Sequence, residues 1–495
     1  MGTIITISIL YLLVVFGIGL WAMYQTKNSE DFFIAGKSLG LFVMAMATFA
    51  TALSGFLFIG GPGLTYDLGM GALWFTFPTS ISFAMAWMIL GKKMRLLTEA
   101  TGAMTVADAI YYRYDSNLAR GIAGIVCLVG IVLFMSTQVL ALGTIISFIF
   151  GISNAAGIII GMGVVAFYSS AGGILAGTYT SAFQGTTMAI GSVLVFGLAM
   201  AAGGGMTNIS QTIATTTFTG METAMPEFIG PWGLVGPMVA MSWFFCLGIG
   251  IVGQPHVVSR FYMIEDLKKL KWGPVVAAIP AIVGGMLFFG AGLVVRYLVL
   301  EGAIEPLANS DDAIIFFVTE YAHPILAGIV LAGVSAAIMS TCDAFINIAS
   351  AAAVRDIPFS LGKELSDEKQ LSYGRVAVVV ISIITVITVL SLGDRGIALL
   401  GAVGWGTFAA PLSPALGIGL NWKGATKEGA IASMLVGLAL SVGLELLSMF
   451  DIYHLPHGIY IGALAMVVAI ITFIVVSYMT ETRELGDGMN AVLEV

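Results

Sequence analysis

Charge is what this sequence has least of. Of 495 residues only 10% are Asp, Glu, Lys or Arg, against about a quarter in an ordinary soluble domain. Twenty basic and 28 acidic side chains cannot give a water-facing surface to a globule of this length. The balance of −8 argues further against a nucleic-acid binder. Cysteine is equally scarce. Cys127, Cys246 and Cys342 all lie in apolar stretches, an odd and scattered set that is neither a disulfide framework nor a metal site. There are four histidines. His454 and His457 have H-x-x-H spacing, but Pro456 lies between them in a short stretch that reads as an interfacial loop.

What the chain has instead is apolar length, with 58% hydrophobic residues. A helix needs about 20 apolar residues to cross the hydrocarbon core. Residues 1–26, 38–66, 68–91, 272–295, 376–393, 396–422 and 452–480 carry no charge, and neither does 121–221. The first run lacks a basic leader and continues into runs of the same kind, so it is no signal peptide. Divided at Gly, Pro and polar breaks, these runs predict thirteen spans. They fall near 4–25, 41–64, 70–91, 121–149, 155–178, 183–203, 233–253, 273–298, 324–349, 375–392, 396–419, 428–449 and 458–480. The expected fold is an all-α polytopic membrane protein.

Basic residues orient it. With thirteen spans and the N-terminus outside, 18 of the 20 Lys and Arg fall on one side, leaving Arg296 and Arg395 opposite. Basic loops stay in the cytoplasm, so the C-terminus is expected inside. The polar stretch after Tyr478, residues 481–495, is expected to be a cytoplasmic tail with no soluble domain attached.

Two spans are interrupted. The second reads Ala50-Thr51-Ala52-Leu53-Ser54-Gly55-Phe56 and then Gly60-Gly61-Pro62-Gly63. The seventh reads Phe245-Cys246-Leu247-Gly248-Ile249-Gly250 and then Gly253-Gln254-Pro255. Each opens a group of five helices, 41–203 and 233–419. Broken helices at matching positions of two halves mark the midplane site of inverted-repeat transporters, where unwound backbone lines a cavity. Glycines that simply let helices pack closely would look the same.

The ninth span carries Ala337, Ser340 and Thr341 at i, i+3 and i+4, on one helix face. Two hydroxyls beside a free carbonyl suit a hard cation that takes oxygen ligands. Ser and Thr also bond back to their own helix, and the pattern leaves both open. Asp343, three residues on, is an intramembrane acid and a candidate ion or proton carrier. A place at the cytoplasmic mouth, paired with Arg355 or Arg375, fits the spacing equally.

Several ordered motifs belong together. Ser29-Glu30-Asp31-Phe32-Phe33-Ile34-Ala35-Gly36-Lys37-Ser38-Leu39-Gly40 follows the first span. Arg95 to Tyr114 contains Thr105-Val106-Ala107-Asp108. Then come Gly172-Gly173, Gly253-Gln254-Pro255-His256 with Arg260-Phe261, Met339-Ser340-Thr341, and Trp422-Lys423 with Gly429-Ala430. In this order they resemble the sodium/solute symporter family, whose members include bacterial sodium/proline and sodium/pantothenate symporters and sodium/glucose cotransporters. The Gly253 to Phe261 run is most similar to the proline branch.

The resemblance implies a LeuT-like core of two inverted five-helix repeats, with one extra helix before and two after. It implies a sodium ion held by the carbonyls of Ala50, Leu53 and Ala337 and the hydroxyls of Ser340 and Thr341. A solute pocket is implied beside the breaks, near Ser54, Gly55, Phe56, Phe134, Gln138 and Leu247. Three positions depart from the family pattern. Ala52 and Leu247 stand where proline symporters have an Asp and a Trp. Ser181 stands where several members have an Asp, which bears on a second ion site shared with Asp343.

The expected activity is sodium-coupled import of a small organic solute by alternating access. No enzyme chemistry, cofactor or protein partner is expected beyond the coupling ion, the solute and the bilayer of the plasma membrane. The pocket has few donors for a sugar, whose hydroxyls would be buried unpaired. An amino acid or related carboxylate fits better, its charge met by free N–H groups at the breaks. The competing expectations are a sugar, vitamin or other solute, proton coupling through Asp343, a passive channel, and a membrane sensor.

Overall fold

The structure, a computed structural model, describes residues 2–25, 39–52, 54–218, 223–392 and 397–494. It is helical almost throughout. Among the described residues the only extended pairings are two isolated bridges, Leu39 with Ile264 and Thr217 with Ala224.

In chain order the helices begin with α1 (Gly2–Gln25), α2 (Leu41–Ala52), α3 (Gly55–Phe58), α4 (Gly60–Leu68), α5 (Leu73–Ala86), α6 (Lys92–Thr101) and α7 (Val106–Tyr114). There follow α8 (Asn117–Phe150), α9 (Asn154–Ala202), α10 (Met206–Thr215), α11 (Gly236–Trp243), α12 (Pro255–Val258), α13 (Gly273–Leu300) and α14 (Ala313–Tyr321). The last are α15 (Pro324–Ala351), α16 (Ile357–Ser360), α17 (Asp367–Leu392), α18 (Ile397–Ser413), α19 (Lys427–Met449), α20 (Ile461–Met479) and α21 (Asp487–Leu493).

Among the described residues, eight stretches are long and apolar enough to cross a membrane. They are 117–150, 177–202, 236–253, 282–300, 324–360, 367–391, 427–449 and 461–479. The outer faces carry the same message. Along α17, Val376, Val380, Ile383, Ile387 and Leu390 are all exposed, a continuous apolar stripe that water would not tolerate and lipid would.

Helix α9 holds two of the expected spans. At 1.5 Å per residue its 49 residues would run about 74 Å if straight, more than twice the hydrocarbon thickness. It is not straight. Phe167 stacks on Phe16 and Phe183 on Tyr11, at 5.8 and 5.3 Å, so widely separated parts of α9 meet neighbouring turns of α1. The first half packs on α8, with Gly161 against Leu142. The second packs on α2 and α15, with Gly185 against Met46 and Gly191 against Val330.

The two ends of the bundle differ in charge. At one end Lys93 donates to the carbonyls of Leu420 and Leu493, both at 3.0 Å. There too Arg113 reaches the Gly419 carbonyl and Arg95 that of Ile264, each at 2.6 Å. Thr105 and Asp108 cap α7 reciprocally, the T-x-x-D pattern visible in the sequence. Asp108 also pairs with Arg120 and, at 3.1 Å, with Arg355. At the opposite end Arg296 lies over the Tyr66 ring at 3.8 Å.

Candidate ion and solute site

The first break lies between α2 and α3. Ser54 leaves helical geometry with φ −8° and ψ −170°, and α3 restarts at Gly55. The Gly55 amide donates to Gln138 Oε1 on α8 at 2.9 Å. A Cβ on Gly55 would lie 2.5 Å from Ile338 Cγ1 and 3.1 Å from Ala141, so only glycine lets the broken segment sit against α15 and α8. The Gly60–Gly63 run, expected to be part of the break, instead opens helix α4. Its glycines serve close approach: a Cβ would lie 2.8 Å from the Phe288 ring at Gly61 and 2.7 Å from the Ser310 carbonyl at Gly63.

The second break falls within the expected Gly253-Gln254-Pro255 stretch. Residues 244–248 form a wide turn and 249–253 a tight one, and the chain becomes extended only at Gln254, with φ −83° and ψ 108°. Wide turns of this kind recur at functional sites. Gln254 Nε2 donates to the Trp405 carbonyl at 3.0 Å, and Ser413 donates to the Gly250 carbonyl at 3.2 Å, tying this break to α18.

On α15 the face anticipated from spacing is present. Ser340 and Thr341 both donate to the Ala337 carbonyl, at 2.8 and 2.9 Å, and both are fully buried. Three oxygens are thereby gathered beside the first break. Back-bonding of this kind satisfies both hydroxyl protons within the helix itself. Ala50 is buried on α2, next to the Gly185 backbone. Leu53 lies outside the described residues.

Ser54, Phe134, Gln138 and Leu247 are fully buried. The side chain of Phe56 lies outside the described ones. Ser54 Oγ, Thr137 Oγ1 and Gln138 Nε2 have no hydrogen-bond partner, which a buried polar atom tolerates poorly. The Phe134 ring is 4.9 Å from Phe345, 6.0 Å from His256 and 6.3 Å from Trp405. Leu247 joins this group through its turn, where the Cys246 carbonyl accepts the Trp405 indole N–H at 3.3 Å.

The backbone donors expected to meet a solute carboxylate are largely taken. Gly55 N–H goes to Gln138, and Leu57 and Phe58 N–H go to the Ser54 carbonyl at 3.2 and 2.9 Å. At the second break the N–H groups of Gln254, Val257 and Val258 are bonded within the segment.

Asp343 is fully buried. Its Oδ1 accepts from Ser169 and, at 3.1 Å, from Asn347 Nδ2; its Oδ2 has no hydrogen-bond partner and presses on Gly177. Of the two arginines weighed as alternative partners, Arg355 and Arg375, the first goes to Asp108 instead. Ser181, one turn beyond Gly177, is buried with its hydroxyl unbonded. The acid and the serine therefore share the α9–α15 seam. Asn347 was findable as i+4 from Asp343; Ser169 gives no signal in the sequence.

A family model described as the sodium:solute symporter family matches residues 32–437. The osmoregulated proline transporter of Bacillus subtilis (strain 168) is 27% identical over 477 residues, covering 94% of each chain. A sodium/proline symporter of Staphylococcus aureus (strain bovine RF122 / ET3-1) is 28% identical over 489 residues, covering 95% of this chain and 91% of its own. Among solved structures, a Na+-coupled sialic acid symporter in a substrate-bound outward-open state superposes with a TM-score of 0.79 at 17% identity, over 98% of this chain and 99% of that one.

Proposed function

The chain belongs to the sodium:solute symporter family, and on that premise we propose that it imports proline or a closely related small carboxylate together with sodium. The observation that carries the ion reading is the convergence of Ser340 and Thr341 on the Ala337 carbonyl, beside the break at Ser54. In this reading the carbonyls of Ala50 and Leu53 complete the sodium shell. The solute reading rests on the apolar, aromatic surroundings of Phe134 and on relatives named as proline transporters.

The proposed arrangement has thirteen spans in the plasma membrane, with the N-terminus outside and the C-terminus in the cytoplasm. Two inverted repeats, 41–203 and 233–419, form the core, with helix 4–25 before them and the pair 428–480 after. The clustering of Lys93, Arg95, Arg113, Arg120 and Arg355 contacts at one end supports this orientation. Energy is sufficient. One charge crossing 100 mV releases about 2.3 kcal/mol and a tenfold sodium gradient adds about 1.4, enough for a solute ratio of roughly several hundred.

We expect one sodium per solute. Ser181 offers only a dipole where a carboxylate would offer charge, and one oxygen of Asp343 is already engaged with Ser169 and Asn347. Simultaneous sodium and solute fluxes, or the voltage at which net transport reverses, decide this. A ratio of two would assign a second ion to Asp343 and Ser181.

A further inference from the structure

A carboxylate in this pocket needs donors, and the backbone at both breaks supplies few. Side chains must therefore provide them. His256 is 1% exposed, and neither of its ring nitrogens has a hydrogen-bond partner. Four aromatic rings surround it: Phe345 at 4.5 Å, Phe134 and Trp405 at 6.0 Å, and Phe408 at 6.5 Å. An imidazole carries at least one N–H in either charge state, and an unbonded N–H in apolar surroundings is costly. A phenylalanine would fill the same box without that cost, so packing alone does not account for a histidine here.

A second unbonded donor lies on α8. Gln138 lies one turn beyond Phe134 on α8, and the Gly55 amide holds its Oε1, which leaves Nε2 as the unbonded end. We infer that His256 sets solute specificity, its imidazole N–H and Gln138 Nε2 together receiving the solute carboxylate while the aromatic rings enclose the apolar body. The inference rests on the reading of the chain as a sodium-coupled carrier of a small carboxylate. It also predicts a discrimination. An amide analogue of the same solute would bring an NH₂ group to N–H donors, and a site built this way rejects it.

The test uses the purified full chain and three probes: sodium chloride alone, L-proline and prolinamide. Sodium-dependent thermal stabilisation reports binding of each, since a ligand selective for the folded state raises its stability. The wild type should prefer L-proline to prolinamide by at least about tenfold, the loss typical of an unmatched hydrogen bond to a charged group. His256→Phe keeps the aromatic packing and should respond to sodium alone as the wild type does. It should bind L-proline about tenfold to a hundredfold more weakly and lose most of the acid-over-amide preference. His256→Gln, which restores an N–H donor, should recover much of both. His256→Phe with wild-type proline affinity and an intact preference would overturn the assignment. A wild type that sodium stabilises but that binds no carboxylate overturns both this assignment and the solute reading. A wild type unaffected by sodium overturns the coupling reading itself.

Discussion

Ser340→Ala and Thr341→Ala should each raise the sodium concentration for half-maximal transport by about tenfold to a hundredfold, the scale of one lost contact to a charged group. The double variant should raise it further or abolish sodium dependence. The geometry makes this a clean experiment. Both hydroxyls donate to the Ala337 carbonyl of their own helix, so that carbonyl is not stranded by removing either. The Ala337 carbonyl keeps its ordinary helical partner. Thermal stability without sodium should therefore barely change, while the sodium-induced increase in stability shrinks with each substitution. Titrating that increase against sodium concentration reads the effect directly. Unchanged sodium dependence in both single variants would show that this face only packs.

Asp108→Ala should be the most damaging single change to the fold. The carboxylate caps the first turn of α7 by accepting from the Met104 and Thr105 amides at 2.9 and 3.2 Å. It also neutralises Arg120 and Arg355, both nearly buried. Removing it leaves two buried cations, with Asp356, which Arg120 approaches at 3.9 Å, as the remaining carboxylate paired with either among the described residues. Breaking a buried ion pair from one side costs about 3–5 kcal/mol. The unfolding midpoint should fall sharply, with low yield of folded protein. Lys423→Ala is the control. Its pairing with Glu494 is more than half exposed on both sides, and such pairs contribute about 0–1 kcal/mol. Equal effects of the two substitutions would contradict the role given to the Asp108 cluster.

The shared face of Ala337, Ser340 and Thr341 was legible in the sequence because helical spacing alone decides which side chains share a turn. Ala337, Ser340 and Thr341 needed no tertiary information, and the structure puts both hydroxyls on the one carbonyl. The first break was legible at Ser54 for a similar local reason. The Gly60–Gly63 run misled, because glycine serves both unwinding and close approach, and only the neighbours Phe288 and Ser310 distinguish them. The second break was legible at Gly253-Gln254-Pro255, since a residue before proline is pushed toward extended backbone, whereas the wide and tight turns over 244–253 were not. The division of 154–202 into two spans had no charge to mark it, and both expected spans lie in the one helix α9. The partners of Asp343 and the box around His256 depend on helices far apart in sequence. Ser169 and Trp405 could not be assigned to them before the fold was known.

The central claim is that sodium drives solute uptake. Purified protein in sealed proteoliposomes, given labelled L-proline, should accumulate it against its gradient when sodium is high outside and low inside. An inside-negative potential should increase the accumulation. Replacing the sodium gradient by potassium, or by a pH step across a sodium-free membrane, should give only equilibration. Accumulation driven by the pH step without sodium would contradict the account and point to proton coupling through Asp343.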